Sequence, residues 1–279
     1  MIILSVCLAC SGCSIRRFAN NALIDLTHAL YQQRDVALAK EASAPFLLLT
    51  DTMILRNPED STYLLGGVKA YYAYASAFLI GTDQKRAFVL FDKALNYGFS
   101  LWETKFGWKS VRMLAIDDWD RELQRISRDD IAYLFWPANT WASWITVHPD
   151  SILAISDLSY VVAAMNRILE LDDTYQDGAV HLFFGMYYAV QPAGLGRDLE
   201  KSDVHFQNAI RLAGPEALLP KVLYARYYAR ANFDEELFIQ LLEDVLKAPT
   251  QYSDPNLNLM NAIARDRATE YLSQIDELF

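Results

Sequence analysis

Apolar residues recur at intervals of three and four along almost the whole of this 279-residue chain, and that period selects the fold class. Val68, Tyr72, Ala75 and Leu79 form one such stripe; Leu237, Leu241 and Val245 form another. Alternation of β-branched residues is scarce, so the expected fold is all-α. Turn-forming residues cut the helical signal at Asn57-Pro58, Gly81-Thr82, Tyr97-Gly98, His148-Pro149, Asp172-Asp173, Pro192 to Gly196, Gly214-Pro215, Pro249 and Asp254-Pro255. Helices of about 12–20 residues fill the gaps. Asp60-Ser61 and Ser253-Asp254 offer capping side chains, and Pro255 suits a first helical position.

Paired helices with short turns suggest a compact α-solenoid with extra capping helices. The tetratricopeptide template of about 34 residues puts small residues where two helices touch and aromatics in the holes beside them. With Ala87 at its second-helix contact, the template positions fall on Tyr71, Tyr74, Ala75, Phe78, Ala87, Phe91, Ala94 and Phe99. A second unit sets His181, Phe184, Gly185 and Tyr188 against Ser202, Phe206, Ala209 and Gly214. A third sets Trp141, Ala142 and Ile145 against Val161, Met165 and Ile168. A weaker fourth sets Tyr224, Ala225 and Tyr228 against Phe238, Leu242 and Val245. The units cover roughly 68–100, 131–173, 178–214 and 217–249 of one helical domain, 13–279. Each contributes close helix approach to a continuous core.

All three cysteines, Cys7, Cys10 and Cys13, lie in the first 13 residues, so no disulfide framework is available later. Residues 2–9 are apolar but too short for a span of about 20 residues, and read as the core of a signal peptide. The junction LACSGC-SIRR resembles a bacterial lipobox, with residues 1–12 removed and Cys13 carrying the lipid. It departs from the usual pattern in having Cys10 in place of Leu and no basic residue before the apolar core. The alternative is an apolar N-terminus packed into the fold. Ser14 after the cysteine resembles an outer-membrane sorting signal. Farther on, no apolar run reaches the 18 or so residues of a span, so the expected membrane contact is the lipid alone.

With 35 acidic against 25 basic residues the net charge is −10, and no Lys/Arg-rich run is present. That argues against nucleic acid. No strained serine turn, cysteine–histidine pair or apolar carboxylate pair marks a catalytic centre, and Gly194 to Arg197 lacks the elements of a phosphate loop. No cofactor and no metal site are expected. Asp177 and His181, four apart, form the one metal-like pair, which more often means a helix-start contact.

All six tryptophans, Trp102, Trp108, Trp119, Trp136, Trp141 and Trp144, fall within 43 residues. They read either as an aromatic cleft or partner surface, or as packing staples of a long loop at 98–130 that folds back. Trp136, Trp141 and Trp144, with Asn139 between them, are the first candidate contact residues. Pro137 marks a kink or first turn there. His181, Phe184, Tyr188 and His205, on adjoining helices, are the second set. Arg226 and Tyr228 are the third: Arg226 and Arg230, four apart, could hold a carboxylate or simply form a solvated face.

The lipoprotein junction followed by SIRRFANNALID, then LFWPANTWASWI at 134–145, ILELDDTYQDGAVHLFFG at 168–185 and DVHFQNAIRLAG at 203–214, together resemble the T component of tripartite ATP-independent periplasmic (TRAP) transporters, the TatT family. The resemblance implies a periplasmic lipoprotein with cryptic tetratricopeptide repeats, able to form a homotrimer and to engage the solute-binding protein of the transporter. It also implies a pore or cleft for hydrophobic solutes or organic acids, and binding without catalysis. Two other readings carry distinct signatures. A tetratricopeptide lipoprotein that scaffolds envelope assembly requires only protein contacts. A peptidoglycan or lipid hydrolase requires a buried glutamate in a cleft.

Overall fold

The computed structural model describes residues 27–194 and 196–279, and among them every regular element is helical. Cys7, Cys10 and Cys13, the leader and the 14–25 segment lie outside the described residues. The long helices are α1 (Val36–Arg56), α2 (Ser61–Phe78), α3 (Gln84–Phe106), α5 (Ile131–Val147), α6 (Ile152–Leu171), α7 (Tyr175–Val190), α8 (Leu199–Ala213), α10 (Glu235–Lys247) and α11 (Asn258–Ser273). Shorter ones are α4 (Ile116–Leu123), α9 (Leu219–Tyr224), which runs into a π turn at Ala225–Ala229, and α12 (Ile275–Leu278).

Capping chemistry sets the boundaries. Asp60 accepts from the amides of Thr62 and Tyr63 at the start of α2. Asp83, Asp198 and Asp234 do the same for α3, α8 and α10. Such a cap supplies one of the unsatisfied first-turn amides with an acceptor and contributes about 1 kcal/mol.

The long helices pair as hairpins: α2 with α3, α5 with α6, α7 with α8, and α9 and its π turn with α10. Small buried residues let the partners approach. Ala75, Ala87 and Ala94 are fully buried between α2 and α3, with Tyr71, Tyr74, Phe78 and Phe91 around them. Gly185 in α7 is the tightest case: an added Cβ would stand 2.8 Å from the Phe206 ring of α8. Ser202 also donates to the Gly185 carbonyl across that contact at 2.7 Å. First helices of successive hairpins form one layer: α2 packs on α5, Phe135 of α5 meets Tyr175 of α7, and α7 packs on the π turn. The core lies between this layer and the second helices.

The last long helix closes the array. α11 packs on α9 and α10, reaches α1, and donates from Arg267 Nη2 to the Ser76 carbonyl of α2 at 2.6 Å. Asn258 also donates to the Gln32 carbonyl at 2.9 Å, so both ends of the array meet.

One expectation is corrected here. The stretch 98–130 is not a long loop: α3 runs through Tyr97-Gly98 to Phe106, and α4 follows. Helix continues because Gly98 is where α3 crosses α5; a Cβ there would lie 3.0 Å from Pro137. By length and mean hydropathy α6 could cross a bilayer, but Asp157, Asn166, Arg167 and Glu170 interrupt its apolar residues. Val161, Ala164, Met165 and Ile168 on that helix are fully buried in the core.

Candidate functional site

The tryptophan cluster separates into five packing residues and one exception. Trp102, Trp119 and Trp141 are fully buried, and Trp108 and Trp144 nearly so. Trp102 contacts the rings of Phe99, Trp108, Trp119 and Trp141. Each of the five indole N–H groups has an acceptor. Trp102 donates to the Tyr133 carbonyl, Trp108 to Glu122, Trp119 to the Tyr160 carbonyl, Trp141 to Asp157 and Trp144 to Asp92. These are core residues whose polar handle is satisfied, as burial of tryptophan requires. Trp141 and Trp144, expected on a contact surface, are therefore corrected to the interior: an amphipathic ring with an internal acceptor fills a core as readily as it lines a cleft.

Trp136 differs in both respects. It is half-buried on the first-helix layer, and its Nε1 is shielded from solvent with no hydrogen-bond partner. Lys69 Nζ of α2 stands 5.1 Å from its ring centroid, and Tyr72 packs on it edge-on at 5.8 Å. The Tyr175 hydroxyl of α7, which can accept a hydrogen bond, lies beside the indole N–H. Burial pushes the Tyr175 phenol up, and the Trp136 N–H beside it pulls the other way without reaching hydrogen-bond geometry. Burial likewise pulls the Lys69 ammonium down, with no carboxylate beside it to offset this. Helices α2 and α5 contain no Asp or Glu at all. Asn139 lies one turn beyond Trp136 and is half-buried; Thr140, four residues on, is buried with its hydroxyl unpaired.

Tyr175 is held by a strained turn. Gln176, Asp177 and Gly178 have φ of 51°, 55° and 79°, so regular helix begins after them. Left-handed backbone at the two non-glycine residues costs on the order of 1–3 kcal/mol each. This geometry also removes the expected Asp177–His181 contact, because the turn replaces helical i, i+4 spacing. The acid facing His181 is Asp173, at 3.7 Å.

His181 and His205 meet as the sequence placed them, on the adjoining helices α7 and α8, with their Nδ1 atoms 2.9 Å apart. One Nδ1 must carry the proton and the other accept. Burial lowers the pKa of His181 against the pull of Asp173, while burial and then the neighbouring His181 lower His205 to about 4. Phe184, buried, and Tyr188, half-buried, stack on the His205 ring. Lys201 covers Tyr188 at 5.4 Å. Among the described residues no group of three potential ligands converges on a metal position.

The third set is split. Arg226 lies over Tyr271 of α11 at 5.3 Å, whereas Tyr228 turns to Tyr224, whose hydroxyl bonds Asp203. Arg230, pulled down by burial and then by Arg226, is exposed at the rim. No ion pair engages Lys69, Arg226 or Arg267 among the described residues, so three cations of the first-helix and α11 surfaces lack counter-charge.

Two polar clusters were not anticipated. Asp157, 2% exposed, accepts from both Arg112 Nε and Trp141 Nε1 at 2.8 Å. The Arg112 guanidinium in turn lies among Phe99, Trp141 and Trp144. Asp51 accepts from Tyr71, Lys93 and Tyr97, which fastens α1 to the first hairpin. Burial would raise the Asp51 carboxyl, but these three donors hold it below its ordinary range. The hydrolase reading called for a buried glutamate. The buried polar side chains among the described residues are Thr140, Asp157, His181, Ser202 and Asn261.

A model of the TRAP transporter T-component family matches residues 32–279. A protein of Treponema pallidum (strain Nichols), itself described as uncharacterized, is 23% identical over 312 residues, covering 98% of this chain and 95% of that protein.

Proposed function

This chain belongs to the TRAP transporter T-component family, and from that premise we propose that it acts as a periplasmic lipoprotein that binds the transporter's solute-binding protein. Cys13 carries the lipid and holds the protein at the outer membrane, with several acyl chains needed for stable anchoring. The array works as a homotrimer by binding and release, without covalent chemistry. A hydrophobic or organic-acid solute passes to or from the partner at the first-helix layer. The observation that carries this reading is a family match spanning every helix of the array. The aromatic first helices α2 and α5, which carry Lys69 and no Asp or Glu, support the ligand role. Affinity purification from solubilised membranes tests it. The wild-type protein is expected to be labelled by palmitate and to bring down the solute-binding protein, and Cys13→Ala to lose the label. Unlabelled wild-type protein or an unaccompanied bait would overturn it.

A further inference from the structure

Phe233 lies in the short link between the π turn and α10, and its backbone is left-handed, with φ of 54°. The Asp234 amide donates to the Ala229 carbonyl at 2.9 Å and the Phe233 amide to the Arg230 carbonyl at 3.2 Å. These are the paired bonds of a Schellman stop, whose left-handed position favours glycine. The chain follows that preference elsewhere: α3 ends on Gly107, at φ 75°. Phe233 also leaves 81% of its surface in water and meets no other ring among the described residues. Glycine here would remove both the backbone strain and the exposed apolar ring, so folding does not account for this side chain. Strain kept at an exposed aromatic is the mark of a contact outside the chain, because buried aromatic anchors carry much of the energy of protein interfaces. The charges nearby narrow the partner. Asp234 caps α10, and Glu235, Glu236, Glu243 and Asp244 are exposed on that helix, whose single cation, Lys247, is bound to Glu243 at 2.6 Å. Glu235 and Glu236 also suit the α10 N-terminus, so the ring and not the acids identifies the site. An anionic lipid surface would be repelled by this face, whereas a protein with an apolar pocket in a cationic rim complements it.

We propose that Phe233 is the anchor by which this chain docks its protein partner. The ring enters an apolar pocket on the solute-binding protein, and Glu235, Glu236 and Asp244 meet Lys or Arg side chains on the rim of that pocket. The contact lies at the end of the first-helix layer, where the π turn passes into α10. This rests on the reading above that the chain binds the solute-binding protein, and it adds the place and the chemistry of the contact. A phenylalanine on a fixed turn loses little freedom on binding, and the surrounding acids act mainly on the rate of encounter.

Calorimetric titration of the purified mature chain with the solute-binding protein tests this. Phe233→Gly is expected to unfold at the same temperature as the wild type or a higher one, since it relieves the turn, and to bind at least tenfold more weakly. Phe233→Leu should recover part of the affinity. Met113→Ala, which trims a side chain 84% exposed elsewhere, should leave it unchanged. Glu235→Lys combined with Glu236→Lys should weaken binding several-fold at low salt, with a difference that shrinks as salt is raised. Unchanged affinity in Phe233→Gly, an equal loss in Met113→Ala, or a lowered unfolding temperature of Phe233→Gly would each overturn the anchor and leave the transporter reading standing. Unchanged affinity in the double variant would overturn the cationic rim. A wild-type chain that binds no solute-binding protein would remove both the site and the reading it rests on.

Discussion

Lys69 of α2 stands over the Trp136 ring of α5 with 5.1 Å between ammonium and ring centroid, and the Tyr175 hydroxyl of α7 lies beside the Trp136 N–H. A cation over an indole gains about 0.5–2 kcal/mol, which favours the pairing. The remaining indoles are closed by the chain itself, and that contrast generates the first prediction.

Trp136→Phe removes an unsatisfied N–H and should be near neutral for stability, within about 0.5–1 kcal/mol. Trp141→Phe removes a donor from the buried Asp157 and leaves a cavity, and should cost about 2–3 kcal/mol. Urea unfolding of the two variants in parallel checks the ordering; equal losses would mean that Trp136 is a core residue like the others.

Asp157 depends on Arg112 for its counter-charge. Arg112→Met should destabilise by about 3–5 kcal/mol, since breaking a buried pair strands the remaining charge. The double variant Arg112→Met with Asp157→Asn should recover much of that loss, as measured by the same unfolding midpoints. No recovery would place the Arg112 contribution in its packing against Phe99, Trp141 and Trp144.

Much of this architecture was legible in the sequence, and the failures have physical causes. The three-and-four spacing, the caps at Asp60 and Asp254 and the stops at Asp172 and Gly214 depend on local chemistry, and they stand where the sequence places them. The adjacency of His181 and His205 followed from the repeat spacing. Gly98 read as a stop because a glycine in isolation favours a turn; its use here, passing Pro137 of another helix, is a tertiary fact. The tryptophans read either as a cleft or as packing staples because a sequence shows no acceptors. Trp141 and Trp144 read as contact residues, although Asp157 and Asp92 close them from within, as Glu122 and two backbone carbonyls close Trp108, Trp102 and Trp119. Lys69 went unnoticed for the complementary reason. A lysine is conspicuous only once its neighbours are known to lack carboxylates, although the absence of Asp and Glu from the stretch 61–78 was a signal that could have found it.

The histidine pair predicts a pH dependence. His205 is held at about 4, below the ordinary 6.5, by burial and then by His181. The neutral form is therefore the one the fold favours. Its contribution is complete above pH 6.5 and is lost as the pH falls from there toward 4. For a partly exposed ring this amounts to about 1–2 kcal/mol. Thermal unfolding at pH 7.5 and 5.0 should show a smaller decrease for His205→Gln than for the wild type; identical decreases would assign the dependence to other groups.

Gly185→Ala tests the α7–α8 contact. Its methyl would meet the Phe206 ring at 2.8 Å, and a displacement of that ring should cost about 1–3 kcal/mol. Gly194→Ala, on the loop between the same helices where an added Cβ meets nothing within 4 Å, has a positive φ of its own and serves as a measure of backbone strain without a clash. If the two lose equal stability, the close approach is not what Gly185 provides.

The account turns on whether the helical array binds the solute-binding protein of a TRAP transporter. Sedimentation velocity of the mature chain with that protein, each at tens of micromolar, measures this directly. The account predicts a faster boundary containing both proteins; two boundaries that sediment independently at every mixing ratio would contradict it.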